Sequence, residues 1–345
     1  MTSLERVQLT IQHQEADYVP VYPLINSISR IYTGIDYATW TQNTVLCAQS
    51  IIKATEELDV DVICSLVDLS VEAADFGQQI IYPKDKAAYP DPNNRLIKAL
   101  AEYRNIEPVN PRKTLRMSEH IKLCQMLMDA KGKTKPVIAF VFAPLGILSM
   151  LRGPQDLFMD ILDDPDSVHL ALEAITETLF EYITALMETG VHGIMFDTLY
   201  ASQSIMSKQM WDVLEGPYVE KLAKHVHKNN CMVMIHNCGN GIYFDAQIAR
   251  MKPEAISFLH LPDDCNSFAE VKEKYGKQTT LIGHVPPSFI LSANEQEVEE
   301  ECKKQIDTFK KGGGFILATG CEYPANAQDT NARAMVRTAK TYGKY

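Results

Sequence analysis

Cys231-Met-Val-Met-Ile-His-Asn-Cys-Gly239 is an apolar run that closes on polar residues and then on a glycine. It reads as a β-strand: apolar through Ile235, polar at its end, with Gly239 free to turn the chain away. Side chains alternate faces along a strand, so His236 and Cys238 point the same way. With Cys321 far downstream they make three soft ligands of the kind that zinc takes. Three protein ligands leave zinc one open position, the mark of a catalytic rather than a closed structural site. A structural site more often uses two close pairs of ligands, and the chain contains no Cys-x-x-Cys. From spacing alone a second reading stands beside this one: a strand-end histidine next to two unrelated buried cysteines.

The same pattern, a short apolar run ending in a polar residue or a turn, recurs along the chain. It is seen in Tyr18-Val-Pro-Val-Tyr-Pro23, Val60–Ser65, Pro136–Ala143, Gly193–Asp197, Ala255-Ile-Ser-Phe-Leu259 before His260, Thr280-Leu-Ile-Gly283 before His284, and Phe315–Thr319 just before Cys321. Helix-like stretches lie between: Ser167–Met187, Lys208–Lys228, Phe244–Met251, Glu295–Lys311 and Asn331–Tyr342. Asp164-Pro165 and Ser292-Ala-Asn294 supply start signals, and Gly190 and Gly312–Gly314 supply stops. Alternation of this kind predicts a (β/α)8 barrel, with residues 1–345 as one domain. An open doubly wound sheet is the alternative, and it lacks a Gly-x-Gly-x-x-Gly after its first strand. The segment from about Leu66 to Lys135 is long for one crossover and predicts an insertion between strands two and three, covering the barrel mouth.

The barrel reading sharpens the metal reading. Asp197, His236, His260, His284 and Cys321 all fall at the C-terminal ends of strands, the face that carries barrel active sites. His236 and Cys238 leave strand five and Cys321 leaves strand eight, so both arms project into one mouth. His260 and His284 are each candidates for a fourth ligand, an acid or an ordinary core histidine, the last being the commoner case. Asp197 could orient a ligand histidine or position substrate. Glu72 could face the mouth, and Tyr200, Tyr243 and Met150 could line a pocket or simply pack.

Composition sets the bounds. The chain has 345 residues, 46% hydrophobic and 22% charged, enough apolar residue for a large core. A net charge of −11 with no long basic run leaves no electrostatic footprint for nucleic acid. No apolar run approaches a membrane span, and the N-terminus lacks a signal pattern. Eight scattered cysteines do not resemble a disulfide framework, which points to a reducing cytoplasm.

Several segments, in order, resemble the uroporphyrinogen decarboxylase superfamily: Asp68-Leu-Ser-Val-Glu-Ala-Ala-Asp-Phe-Gly77, Ala143-Pro-Leu-Gly146, Gly190-Val-His-Gly-Ile-Met-Phe-Asp197, Gly216-Pro-Tyr218, Ile282-Gly-His-Val285 and Asn331-Ala-Arg-Ala-Met335. The decarboxylases carry an arginine-rich loop after the first strand to grip substrate carboxylates. Here that region, Tyr22–Arg30, holds Arg30 alone, which argues against a porphyrinogen substrate. The His-x-Cys…Cys pattern at His236, Cys238 and Cys321 is similar instead to the corrinoid-dependent methyltransferase branch.

That resemblance implies one zinc per chain and methyl exchange with a separate cobalamin-carrying corrinoid protein. The branch holds two chemistries: methylation of a thiol such as coenzyme M, and transfer of methyl from a small donor, for instance an aryl methyl ether, to cob(I)alamin. Glu215 and His236 match a Glu-x20-His spacing of the ether-cleaving members, while Tyr200 stands where their further upstream Glu would be. The match favours the ether direction and makes Glu215 a second catalytic candidate beside Asp197; a solvated helix residue is the other reading of Glu215. A metal-free decarboxylase and a non-catalytic corrinoid-docking module are the remaining alternatives.

Overall fold

The computed structural model describes residues 1–345. Eight parallel strands form one sheet: β1 Val21–Tyr22, β2 Ile63–Cys64, β3 Val137–Phe142, β4 Gly193–Asp197, β5 Met232–Asn237, β6 Ala255–Phe258, β7 Thr280–Val285 and β8 Phe315–Thr319. Their spatial order is β1-β8-β7-β6-β5-β4-β3-β2. Helices follow the strands on the outside, so the architecture is a nearly closed (β/α)8 barrel, as expected from the alternation. Each predicted strand is present.

The seam between β1 and β2 is closed by other means than a ladder. The Asp61 amide donates to the Val21 carbonyl at 2.9 Å, and the Asp61 carboxylate accepts from the Val21 amide at 2.9 Å. Arg6 and Ser3, from the N-terminal helix Ser3–Ile11, donate to the same carboxylate at 2.7 Å each. A side chain thus stands in for a missing ladder acceptor, and its buried charge is paired.

Period-two alternation divides the core in two. Tyr22, Cys64, Ile138, Phe140, Met195, Met234, Ile282 and Ile316 fill the barrel interior. Val21, Ile63, Val141, Ile194, Phe196, Val233, Ile235, Ile256 and Leu317 face the helices. The strands are apolar on both faces because both faces are covered.

The long β2–β3 connection contains a helix at Val71–Asp75, an antiparallel pair Ile80–Ile81 with Tyr89–Pro90, a 3-10 turn at Leu100–Asn105 and a helix at Leu115–Lys131. The last of these is the ordinary crossover helix, since it packs on the Thr44–Leu58 helix and on β3. The insertion proper is therefore shorter than Leu66–Lys135. It lies at the C-terminal end of the barrel, where the Lys84 carbonyl accepts from the Tyr37 amide and Arg95 donates to the Met150 carbonyl. Arg116 and Asp68 form a buried ion pair beneath it.

One predicted helix is broken. Lys208–Lys228 splits into Lys208–Leu214 and Gly216–Lys228. Pro217 has no amide to donate and sits at the start of the second piece, where that loss is harmless. The break turns Glu215 inward.

Candidate metal centre

β5 delivers His236 at its C-terminal end and Cys238 one residue past it. The imidazole occupies the inward parity of Met234, so it enters the barrel and its ring packs against Phe140, with centroids 6.2 Å apart. β8 delivers Cys321 from the opposite direction around the sheet. The ligand atoms of His236, Cys238 and Cys321 all lie within 4.8 Å of one another. One nitrogen and two sulfurs within that distance are close enough to converge on a single zinc ion, for which Zn–N is about 2.0 Å and Zn–S about 2.3 Å. The three residues therefore fit a metal ion in both donor chemistry and spacing. His236 is buried, while the two cysteines are partly exposed, as an open-sided site requires.

Each arm is held by a neighbouring element: a strand for His236, a loop for Cys321. His236 Nδ1 lies 3.1 Å from Ser257 Oγ, directly across the β5–β6 pairing. A hydroxyl accepting from Nδ1–H leaves the Nε2 lone pair for a metal. The Cys321 arm is tied to the β1 loop three times: Thr319 Oγ donates to the Pro23 carbonyl at 2.9 Å, the Tyr323 amide donates to the Leu24 carbonyl at 3.1 Å, and Glu322 accepts from the Ser27 amide at 2.8 Å. Burial pushes the Glu322 carboxyl up to about 7.

The electrostatics of the trio are strongly coupled. Cys321 is held below the ordinary thiol value because the Cys238 thiol donates to it, and Cys238 is held above for the same reason. Burial works to lower His236, but Cys321, Asp197 and Glu322 together act the other way and the net direction is up.

Asp197 closes β4 opposite His236. It is buried, and its Oδ1 has no hydrogen-bond partner. Burial is the main cause that raises its carboxyl to about 6. An unpaired buried oxygen beside a metal site is an acceptor waiting for a donor.

Glu215 does not join the three ligands. It is fully buried rather than solvated; one oxygen accepts from the Leu145 amide at 3.0 Å and the other from Trp211 Nε1 at 2.8 Å. Burial raises its carboxyl to about 7. His260 is exposed. The His284 ring takes the core-histidine reading, the commoner of its three: it stacks on Phe268 with centroids 3.5 Å apart, among Phe258 and Phe309 in the helix-facing layer. Burial there lowers it to about 4, so it is a neutral packed ring outside the barrel mouth.

Glu72 is buried and accepts from the Phe142 amide at 3.1 Å. Tyr200 is buried beside Phe158, and Tyr243 donates to the Met206 carbonyl. Met150 packs, partly buried, on the helix-facing core. Ser257 and Asn237 escaped the sequence reading, although a lone serine in the apolar run Ala255–Phe258 was a visible signal.

The sequence profile of the family described as uroporphyrinogen decarboxylase matches residues 2–342. Among curated proteins, a uroporphyrinogen decarboxylase of Vesicomyosocius okutanii is 20% identical, with 98% of this chain and 95% of that protein covered. A methylated-thiol–coenzyme M methyltransferase of Methanosarcina mazei is 22% identical, covering 99% of this chain and 89% of that one. Among solved structures, a methyltransferase from Methanosarcina mazei superposes with a TM-score of 0.84 at 19% identity, over 99% of both chains; that likeness is one of fold.

Proposed function

Since the chain belongs to the uroporphyrinogen decarboxylase family, we propose that it is a zinc- and corrinoid-dependent methyltransferase. It moves a methyl group from a small methylated donor, such as an aryl methyl ether, to the cob(I)alamin of a separate corrinoid protein. The observation that carries this reading is the open-sided cluster of His236, Cys238 and Cys321 at the barrel mouth. Zinc held there supplies Lewis acidity towards a donor oxygen, or stabilises a thiolate, at its open position.

The chain's own residues do the rest. His236, with Ser257 behind it, and the two cysteines hold the metal. Asp197 offers its unpartnered Oδ1 to the donor's polar group and positions it. Glu215 is buried near enough for the Asp197 charge to add to burial in raising its carboxyl, and with both oxygens bonded to the Leu145 amide and to Trp211 it supports the Asp197 side of the mouth; the leaving oxygen departs as an anion that a metal held by the three ligands would stabilise. Phe140, packed against the His236 ring, gives the site an apolar wall. We further propose that residues 1–345 act as one domain in the cytoplasm; no helix is long and apolar enough to cross a membrane.

A thiol-methylating direction is the second reading, favoured by the Methanosarcina mazei relative whose name specifies methylated thiols and coenzyme M. Decarboxylation is disfavoured, because the single arginine of the β1 loop, Arg30, is engaged with the Ala325 carbonyl at 3.0 Å and Asn326 Oδ1 at 2.5 Å.

An anaerobic visible spectrum tests the proposal. The enzyme is mixed with cob(I)alamin or its corrinoid protein and a panel of methoxyarenes and other methylated small molecules. Zinc-dependent loss of the cob(I) band with appearance of methylcobalamin is the expected result. No change across the panel, followed by reaction of methylcobalamin with a thiol, reverses the direction. No zinc bound and no methyl moved in either direction discards the reading.

A further inference from the structure

Asn237 lies between two metal-ligand candidates and points away from both. On that outward face the strand's other side chains are Val233 and Ile235, which belong to the helix-facing core. Period two calls for another apolar residue at 237. What stands there is a fully buried amide. A buried amide costs free energy unless its hydrogen bonds are made, and here they are. Nδ2 donates to the Thr198 carbonyl at 2.7 Å and to the Ala201 carbonyl at 3.2 Å, and Oδ1 accepts from the Gly239 amide at 2.9 Å.

One of those partners directly follows Cys238, and the other two lie on the loop after β4. The bond to Gly239 closes a tight turn around the Cys238 backbone. The two donated bonds anchor that turn to the loop that follows β4 and Asp197. Further bonds run between the same two loops: the Gln203 amide to the Gly241 carbonyl at 3.0 Å, the Ser204 amide to the Asn240 carbonyl at 3.2 Å, and the Tyr243 amide to the Ala201 carbonyl at 3.0 Å. Asn237 adjoins Cys238 in the chain and makes three of the bonds in that seam with its side chain. Gly239 leaves no slack, because a Cβ there would come within 2.4 Å of Ser202 Oγ.

We propose that Asn237 is the positioning residue of the metal site: it clamps the Cys238 turn to the β4 loop, so that the thiolate is aimed before metal arrives. The inference rests on the metal reading of His236, Cys238 and Cys321, and not on which methyl donor is used. Buried partners of metal ligands typically contribute tenfold to hundredfold in metal affinity.

The experiment compares the full-length wild type with Asn237→Leu, which keeps the size and loses the amide. Asn237→Asp is the second variant, should Leu fail to fold; it keeps the acceptor for Gly239 and loses both donors. Two quantities are read. One is zinc affinity, by competition with a chromophoric chelator. The other is the alkylation rate of Cys238 relative to Cys321 in metal-free protein, resolved by peptide mass spectrometry, with the thermal unfolding midpoint as a check on folding.

The expected result is a zinc affinity lowered about tenfold to a hundredfold and faster alkylation of Cys238 with Cys321 unchanged. Equal zinc affinity and equal alkylation in a folded variant overturn the inference and leave the metal reading standing. Acceleration of both cysteines together also overturns it, since that reports a generally loosened barrel. A wild type that binds no zinc overturns the inference and the metal reading alike.

Discussion

On the proposed metal reading, the chemistry turns on Cys238 and Cys321. Each offers a sulfur from its own loop, and neither lies in the main hydrophobic core. Cys238→Ala and Cys321→Ala should therefore each lose zinc and methyl transfer while unfolding at a temperature close to wild type; elemental analysis and calorimetry on the purified variants check both halves. Stoichiometric zinc in both would remove the basis of the site.

Glu72 makes a different residue-scale prediction. Burial raises its carboxyl from the ordinary 4.5 to about 8; its surroundings are Asp68, Asp75, Arg116, His120, Tyr182 and the Phe142 amide it accepts from. A raised carboxyl means that the folded protein holds more protons than the unfolded chain between those two values. Stability then falls as pH rises through that window. Glu72→Gln keeps the acceptor for Phe142 and removes the titration. Its stability relative to wild type should improve from pH 5 to pH 8 by up to a few kcal/mol, measured by urea unfolding at each pH.

At the scale of elements, the site depends on two loops that fit together without spare volume. Gly239 passes Ser202 so closely that a Cβ would lie 2.6 Å from the Ser202 Cβ and closer still to its oxygen. Gly239→Ala should cost about 1–3 kcal/mol from overpacking and weaken zinc binding, because Cys238 must shift with the turn. Ser202→Gly opens the clashing space, so the double variant should recover part of both losses; a double variant no better than the single one would show that the constraint at 239 lies elsewhere. The helix break at Glu215 belongs to this scale too. Proline at 217 allows it, and the bonds to Leu145 and Trp211 make use of it.

Over the whole molecule, the two ends of the barrel carry different groups. The mouth carries the candidate ligands, and the floor carries the network of Asp61, Arg6 and Ser3 that closes the β1–β2 seam. Asp61→Ala leaves the Arg6 guanidinium buried with Asp17 alone and an unpaired Val21 amide. A loss of about 3–5 kcal/mol is expected, with zinc affinity unchanged because the seam network lies at the opposite end of the strands. A matching fall in zinc affinity would show the two ends to be coupled.

Period and spacing in the sequence by themselves determined the eight strands, the barrel, the inserted β2–β3 segment and the pairing of His236 with Cys238 on one face. These follow from local regularities: strand alternation, helix stops, and the rule that barrel strands present their C-terminal ends to one mouth. Only the tertiary structure decided what each polar residue does once there. His260 and His284 share the strand-end position of His236, yet one is exposed and the other stacks among phenylalanines in the outer layer. Glu215 reads from sequence as either a catalytic candidate or a solvated helix residue, and the break at Gly216-Pro217 buries it. Ser257 and Asn237 acquire their roles from register and from a neighbouring loop. Period two tells which face a side chain takes, but hydrogen-bond partners come from strands and loops distant in the chain, and only the packed molecule brings them within reach.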